Sequence, residues 1–410
     1  MLARLQAFFG FRKFVAFAII LMDAVWCKDH GTHGVLCNMI GFSSFRTTRE
    51  TGLAAQACIE KIQTLAHQAN KGFSSPLYAM IDIADRLERD PQTARNIWVV
   101  RSNQQSGAET THTRISAWPL RFSPQAHASE KPLLYLSTSV TSAELCALSS
   151  ESAQRGIFCN DIETLSSNWP KGAHPWLPLW LAANPQCLPF DPASGAEARA
   201  IAIAALQSLY VEGRHGFYYM ALHDDPNDFT GPMSSLSANQ ALKGMYKVSE
   251  LDTDIQQPRV RLLGAGLALR EVISAARMLR EDWGVASELW SCPSYTRLAR
   301  DANSAQRWNR MHPGRLRRSS HLRDCLNTKD SPVIAVTGYA QHVADQIGAH
   351  ITSRFVALGA DSTESLPGEP TSGKTVDKHW IVTLALRALA QEDKIPQEYV
   401  EQAMRRYLLQ

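Results

Sequence analysis

Residues 259–301, RVRLLGAGLALREVISAARMLREDWGVASELWSCPSYTRLARD, decide how the chain reads. Arg259 to Leu263 is a short apolar run that ends in Gly264-Ala265-Gly266, the signature of a buried strand turning into a helix. Leu269 to Asp282 then repeats apolar residues at helical spacing. Ser287 to Cys292 reads as a second strand and Tyr295 to Trp308 as a largely helical stretch. Further on, Val333 to Thr337 and Arg354 to Leu358 read as strands and Val343 to Ile351 as a helix. Val376 to Gln391 and Pro396 to Leu408 are closing helices. Strands alternating with helices predict an α/β fold, here a compact, doubly wound C-terminal domain of ordinary size.

Upstream the same alternation is shorter and less regular. Ile97 to Val100, Pro132 to Leu136, Gly156 to Cys159, Cys187 to Phe190 and Gly216 to Leu222 read as strands, and Gly195 to Tyr210 as an Ala-rich helix. Residues 101–130 are polar and read as a loop or an insertion, and Asp224 to Ser237 as an interdomain linker. Leu53 to Gln68 and Ser75 to Arg89 are helix candidates, the second stopped by Asp90-Pro91. The organisation expected is a poorly defined N-terminal extension (1–90), an α/β region (91–240) and the C-terminal domain (241–410).

Composition narrows the function classes. The chain has 42 Lys and Arg against 39 Asp and Glu, a balance that by itself says nothing about nucleic acid or acidic substrates; no nucleic-acid partner is expected. The charge is uneven: Arg297 to Arg323 carries eight Arg and one acid, Asp301, which reads as a solvated face or as a docking surface for an acidic partner. Eight scattered Cys without CxxC spacing suggest reduced, cytoplasmic usage. The apolar run Phe14 to Met22 is too short to span a bilayer, so no membrane partner is expected. No small-x-small cleavage site follows it, and the run reads as a buried or irregular segment.

Residues 259–313 resemble the C-terminal domain of homodimeric-type pyruvate dehydrogenase decarboxylating components, members of the transketolase-like family. The residues that carry the likeness are LLGAG (262–266), SYTRLARD (294–301), RWN (307–309) and HP (312–313), in that order and spacing. It continues through PVIAVTGYAQHVADQI (332–347), RFVALGADS (354–362) and TVDKHWIVTLALRALA (375–390). Upstream, residues 183–210 and GFYYMAL (216–222) resemble the last strand–helix–strand of the family's pyrimidine-binding domain, and GMYKV (244–248) its exit. The likeness is good over residues 184–410 and weak over 132–183.

The resemblance implies a transketolase-like C-terminal domain after a reduced pyrimidine-binding-like region. It also implies thiamine diphosphate and Mg²⁺, oxidative decarboxylation of a 2-oxo acid, and a homodimer or the pyruvate dehydrogenase complex core as partner. In the family a Glu protonates the pyrimidine ring, and the cofactor serves as electron sink for the carbanion. Mg²⁺ is held on the diphosphate by a Gly-Asp-Gly turn and an Asn. The sequence contains no Gly-Asp-Gly, and no cofactor-binding or metal residue carries over. The pyrimidine-side Glu belongs shortly before Leu133; Glu130 is the acid nearest that place and reads as a surface residue beside Lys131. The family's His-rich loop corresponds to residues 160–187, where His174 is the candidate catalytic residue. His312 reads as a helix-ending residue. The expectation is a divergent or truncated component that is inactive alone; the alternative is a non-catalytic interaction protein of the same descent. Trp176 to Leu181, Phe217 to Tyr219 and Trp283 are apolar enough to suggest a partner surface.

Two further motifs stand outside the resemblance. Gly368 to Thr375 fits GxxxxGK[ST], but no later strand supplies an Mg²⁺-holding Asp, so Lys374 is expected to bind no nucleotide. Cys27, His30, His33 and Cys37 are close enough for a zinc clip, yet the spacing is not a common finger pattern.

Overall fold

The computed structural model describes residues 47–68, 75–102, 116–117, 120, 130–163, 169–225, 233–251, 257–326, 331–362 and 376–408. The P-loop-like stretch and the Cys27/His30/His33/Cys37 quartet lie outside the described residues. Two sheets of five strands organise the chain. The first is formed by β1 (Trp98–Ser102), β2 (Leu133–Ser137), β3 (Gly156–Asp161), β4 (Cys187–Phe190) and β5 (Phe217–Leu222), in the order β1-β2-β3-β5-β4 and wholly parallel. Its helices are α1 (Arg49–Gln68), α2 (Pro76–Arg89), α3 (Ser142–Glu151), α4 (Trp176–Ala183) and α5 (Gly195–Leu206), the last continued by a π-turn at Gln207–Val211. Helix α6 (Ser235–Ala241) then leads into the second sheet.

The second sheet holds β6 (Tyr246–Leu251), β7 (Arg259–Gly264), β8 (Ala286–Ser291), β9 (Val333–Val336) and β10 (Phe355–Leu358), in the order β10-β9-β7-β8-β6. Only β6, at one edge, runs antiparallel, pairing with β8. The helices here are α7 (Ala268–Trp283), α8 (Tyr295–Met311), α9 (His321–Cys325), α10 (His342–Asp345), α11 (Lys378–Ala390) and α12 (Glu398–Arg406). This is the α/β, transketolase-like arrangement expected of the C-terminal part.

Local chemistry accounts for these elements. Central parallel strands are covered on both faces and read as unbroken apolar runs, as Phe217 to Leu222 does with every residue buried. Helix α7 buries Leu269, Val272, Ala275, Ala276 and Leu279 as one stripe and ends at Gly284 with φ 62°. Ser194, Ser234 and Ser294 cap α5, α6 and α8, each accepting a bond from the backbone N–H three residues on. Helices α1 and α2, from the stretch read as an extension, place Ile59, Ile62, Met80, Ile83 and Leu87 in one core with Ile157 and Met220 of the first sheet and Ile201 of α5.

Several elements depart from the sequence reading. The last three residues of the expected linker already belong to helix α6, because Ser234 offers a cap that the Ser-rich composition disguised. The single helix expected over 343–351 is broken into α10 and a 3₁₀ turn at Gly348–His350. Helix α3 has no apolar stripe, burying only Leu145 and Ser149, so periodicity did not reveal it. Phe217, Tyr218 and Tyr219 are buried in the first sheet, and Trp283 bonds the Tyr407 hydroxyl at 3.0 Å, so these aromatics fill the chain's own core. Of the apolar segments read as a partner surface, only α4 keeps large side chains outside, Trp176 and Leu179.

The carboxyl ends of the two sheets meet. Asp191 N donates to Pro293 O at 2.6 Å, and Gly266 N donates to Asp191 O at 3.0 Å. Ser294 Oγ donates to Pro189 O. Arg300 of α8 donates to the carbonyls of Leu181, Ala182, Asn184 and Cys187 at 2.6–3.3 Å, collecting acceptors that the end of α4 leaves without partners. Replacing Arg300 by Leu strands these acceptors and is expected to cost about 3 kcal/mol. Arg277→Ala on the exposed side of α7 is expected to stay within about 0.5 kcal/mol. Urea unfolding of the two variants checks both.

Candidate functional site

In open α/β sheets, ligands bind outside the carboxyl ends of the strands, and here the two carboxyl edges meet. The place where they meet is built around Lys171. This residue sits at φ 55° in a 3₁₀ turn, followed by Gly172 at φ 69°. A Cβ on Gly172 would lie 1.6 Å from Ile162 O, so only Gly lets the turn fold back on the end of β3. The turn aims Lys171 Nζ inward, to Glu163 Oε1 at 2.6 Å and Asp191 Oδ1 at 2.8 Å, with the Tyr339 ring centre at 5.2 Å. The Lys171 side chain is 1% exposed. Asp191 in turn presses on Gly266, where a Cβ would meet its Oδ1 at 2.1 Å. The second glycine of the Gly-Ala-Gly turn is therefore required by a carboxylate on the other sheet.

The electrostatics follow from burial. Burial opposes the Lys171 charge, but Asp191 and Glu163 together outweigh it and hold the ammonium above its ordinary range. Asp191 is pushed up by burial, with Lys171 pulling against the shift. His223, at the end of β5, is lowered to about 4 by burial and by the Lys171 charge, so its imidazole is neutral. Nearby, Glu197 is raised by burial, although Ser291, Ala193 and Tyr246 all donate to it at 2.7–2.8 Å. Tyr246 and Ser291 come from the second sheet, so Glu197 is a second polar tie across the joint.

The space beside this cluster is small. A cavity of about 40 Å³ is lined by Asp191, Tyr219, Cys292, Tyr295, Thr337 and Tyr339 among others. At roughly 10–15 Å³ per water it holds about three or four waters and no ring-sized ligand. Asp191, which lines it, has no hydrogen-bond partner for its Oδ2 among the described residues, which suits such a water. Burial raises the Cys159, Cys187 and Cys292 thiols far above their ordinary value, so none is a thiolate nucleophile. Chemically, the arrangement can hold charge and a little water and can lock two sheets together.

His174 lies two residues beyond Gly172, half-buried. Its backbone N donates to Val140 O at 2.8 Å, its Nδ1 faces Trp176 N at 3.3 Å, and its ring stands edge-on to Trp169 at 4.8 Å. Glu130 is buried, which corrects the reading of a surface residue. It lies at the amino end of β2, paired with Arg155, which also donates to Arg214 O at 2.8 Å. That is the end of the sheet opposite the Lys171 cluster. His312 closes α8, its ring stacked on Trp308 at 3.7 Å. Among the described residues no group of three or more His, Cys, Asp or Glu is placed to hold a metal ion. Sequence reading singled out neither Lys171 nor Asp191. The available signals were the Lys171-Gly172 pair in a loop between strands and an Asp-Pro step directly after β4.

Residues 244–362 match the family model of the transketolase-like TK C-terminal domain. The chain is 36% identical over 234 residues to the pyruvate dehydrogenase E1 component of Cupriavidus necator, covering 56% of this chain and 26% of that protein. It is 35% identical over 237 residues to the same component of Pseudomonas aeruginosa, with the same coverage. For Escherichia coli K12 the figures are 30% over 230 residues, 54% of this chain and 25% of that one. The chain thus spans about a quarter of the length of these relatives. A split-gene transketolase, solved as an inactive beta4 tetramer, aligns at 16% identity with a TM-score of 0.48, over 78% of this chain and 99% of that one.

The charge cluster generates two tests. Lys171→Met leaves two buried carboxylates facing each other without a cation and is expected to cost about 3–5 kcal/mol near neutral pH. Protonating the carboxylates relieves this, so the deficit shrinks on acidification; urea unfolding at two pH values measures it. For His223 the direction is the same, although its cause is a neutral group that resists protonation. Between pH 4 and 6.5 the unfolded chain binds a proton that folded His223 refuses, so its contribution to stability rises with pH across that window. The stability difference between wild type and His223→Gln should therefore grow from pH 4 to 6.5, by at most about 3 kcal/mol, and then level off.

Proposed function

We propose that the chain is a divergent pyruvate dehydrogenase E1-like component that does not decarboxylate a 2-oxo acid by itself. The observation that carries this reading is the closed carboxyl edge of the first sheet. The family's chemistry needs room for the thiamine diphosphate ring and a carboxylate free to work on its pyrimidine, which by the resemblance belongs shortly before Leu133, at the amino end of β2. Here Glu163 and Asp191 are bound to Lys171, and Glu130 is paired with Arg155 at the other end. The cavity of about 40 Å³ does not admit the ring. The residues described therefore do not fit thiamine diphosphate and Mg²⁺, and no step of the reaction is assigned to them. His174 is left as a loop residue able to accept a hydrogen bond at its Nδ1.

The role that suits these facts is assembly. The exposed side of α4 and the turn before it present Trp176 at 65%, Leu179 at 45% and Trp169 at 42% exposure, a cluster that a monomer has no reason to keep in water. A second copy of the chain or a pyruvate dehydrogenase complex core would cover it. The unit boundary proposed lies near residue 241, with residues 241–410 forming the transketolase C-terminal-like domain. Arg49–Arg89 are counted with the preceding pyrimidine-binding-like region because they fill its core. A reduced, cytoplasmic setting is proposed with it; among the described residues no helix is long and apolar enough to cross a membrane.

Purified chain mixed with pyruvate, thiamine diphosphate and Mg²⁺ is expected to show no turnover above buffer, and calorimetry with the cofactor no binding heat. Saturable heat together with turnover would overturn the reading. Sedimentation at micromolar protein is expected to show self-association that Trp176→Ser weakens; a clean monomer that also ignores the complex core would remove the assembly role.

A further inference from the structure

The last turn of α8 and the residues after it form a surface of unusual composition. Arg307 and Arg310 lie on the helix, Arg315, Arg317 and Arg318 in the turn beyond it, and Arg323 on α9; all are exposed. The acids in and beside this stretch are engaged locally: Asp301 accepts from His321 N at 2.8 Å and Asp324 from Ser319 Oγ. None of the ion pairs formed by the described residues involves Arg307, Arg310, Arg315, Arg317 or Arg323. Within this basic field sit two apolar side chains, Leu316 at 93% and Met311 at 70% exposure.

The turn is held in place. Asn309 Nδ2 donates to Arg318 O at 2.9 Å, and Arg318 N donates back to Asn309 Oδ1 at 2.8 Å. The Arg318 guanidinium lies 3.5 Å from the Trp308 ring centre, and the His312 ring lies 3.7 Å from it at an interplanar angle of 18°. Two groups that close cannot share one face, so Trp308 is sandwiched between them. Such a sandwich fixes the turn before any partner arrives, which lowers the ordering cost of binding. It also removes the one indole in this patch as a stacking platform for bases, which single-stranded nucleic acids need.

We propose that this surface docks an acidic protein segment, with Leu316 and Met311 receiving an apolar side chain and the arginines pairing with carboxylates around it. Arg presents a planar fork that matches a carboxylate with two parallel bonds, and its charge does not titrate away. A fully exposed leucine framed by arginines suits an amphipathic acidic peptide better than a phosphate backbone, which has no apolar group to offer. This contact is separate from the self-association through α4 and does not depend on it.

The test is fluorescence anisotropy of the full chain with a short labelled peptide in which one Leu is flanked by Glu on both sides. The same peptide with Gln for Glu, and a single-stranded oligonucleotide of equal charge, are the comparisons. Arg315→Glu/Arg317→Glu is expected to weaken the acidic peptide by about tenfold or more, the scale of losing charge-assisted contacts. Arg277→Glu/Arg280→Glu removes equal charge from the exposed side of α7 and should change affinity by less than about twofold, because distant surface charges are screened. Leu316→Ser should weaken binding several-fold without changing its salt dependence. These side chains are exposed, so unchanged melting temperatures establish that each variant is folded. Equal weakening by both double variants, tighter binding of the oligonucleotide than of the peptide, or no binding of the acidic peptide to the wild type would each overturn the proposal.

Discussion

Asp191 is tied to both halves of the molecule through its backbone and its side chain at once. Its N–H and C=O bond Pro293 and Gly266 of the second sheet, while its carboxylate is held by Lys171 of the first. That arrangement limits its neighbours. Gly266 can carry no side chain, because a Cβ would collide with the carboxylate, and Gly172 can carry none, because the Lys171 turn passes too close to Ile162. Arg300 and Glu197 then reinforce the same joint, one by collecting carbonyls from the end of α4 and the other by accepting donors from β6 and β8. Buried polar ties of this kind specify one mutual placement, since any slippage would leave charged atoms unpaired in a low dielectric.

The joint also limits the chemistry. A carboxyl edge where a ligand would ordinarily bind is occupied by an internal ion cluster, a neutral imidazole and space for a few waters. Charges that neutralise one another are poor catalysts, because a group that acts as acid or base must be able to change its proton in contact with substrate. What stays at the surface is of another kind: an apolar side of α4 and an arginine field at the end of α8.

The α/β class and nearly every strand of both sheets were legible in the sequence, because buried parallel strands leave contiguous apolar runs and Gly turns punctuate them. The stretch from Arg259 to Asp301 read correctly almost residue by residue for this reason. Helix α3 was hidden by its lack of a stripe, and α6 by a Ser-rich composition that also describes a loop. His174 could be named as a candidate because a histidine in a family loop is visible by position. Its actual neighbours, Trp169 and Trp176, come partly from a turn whose path the sequence does not specify.

By itself the sequence determined what depends on local spacing: the strand–helix alternation, the resemblance carried by LLGAG, SYTRLARD, RWN and HP, and the arginine excess between Arg297 and Arg323. The tertiary structure alone decided which polar residues meet. Lys171 and Asp191 are 20 positions apart, Glu197 and Ser291 94 apart, and Arg300 and Cys187 113 apart. No periodicity links such pairs, because a side-chain contact across a joint is set by where two sheets pack and not by the pitch of either element. For the same reason Glu130, polar and beside a lysine, looked like a surface residue, although Arg155, 25 positions on, draws it into the core.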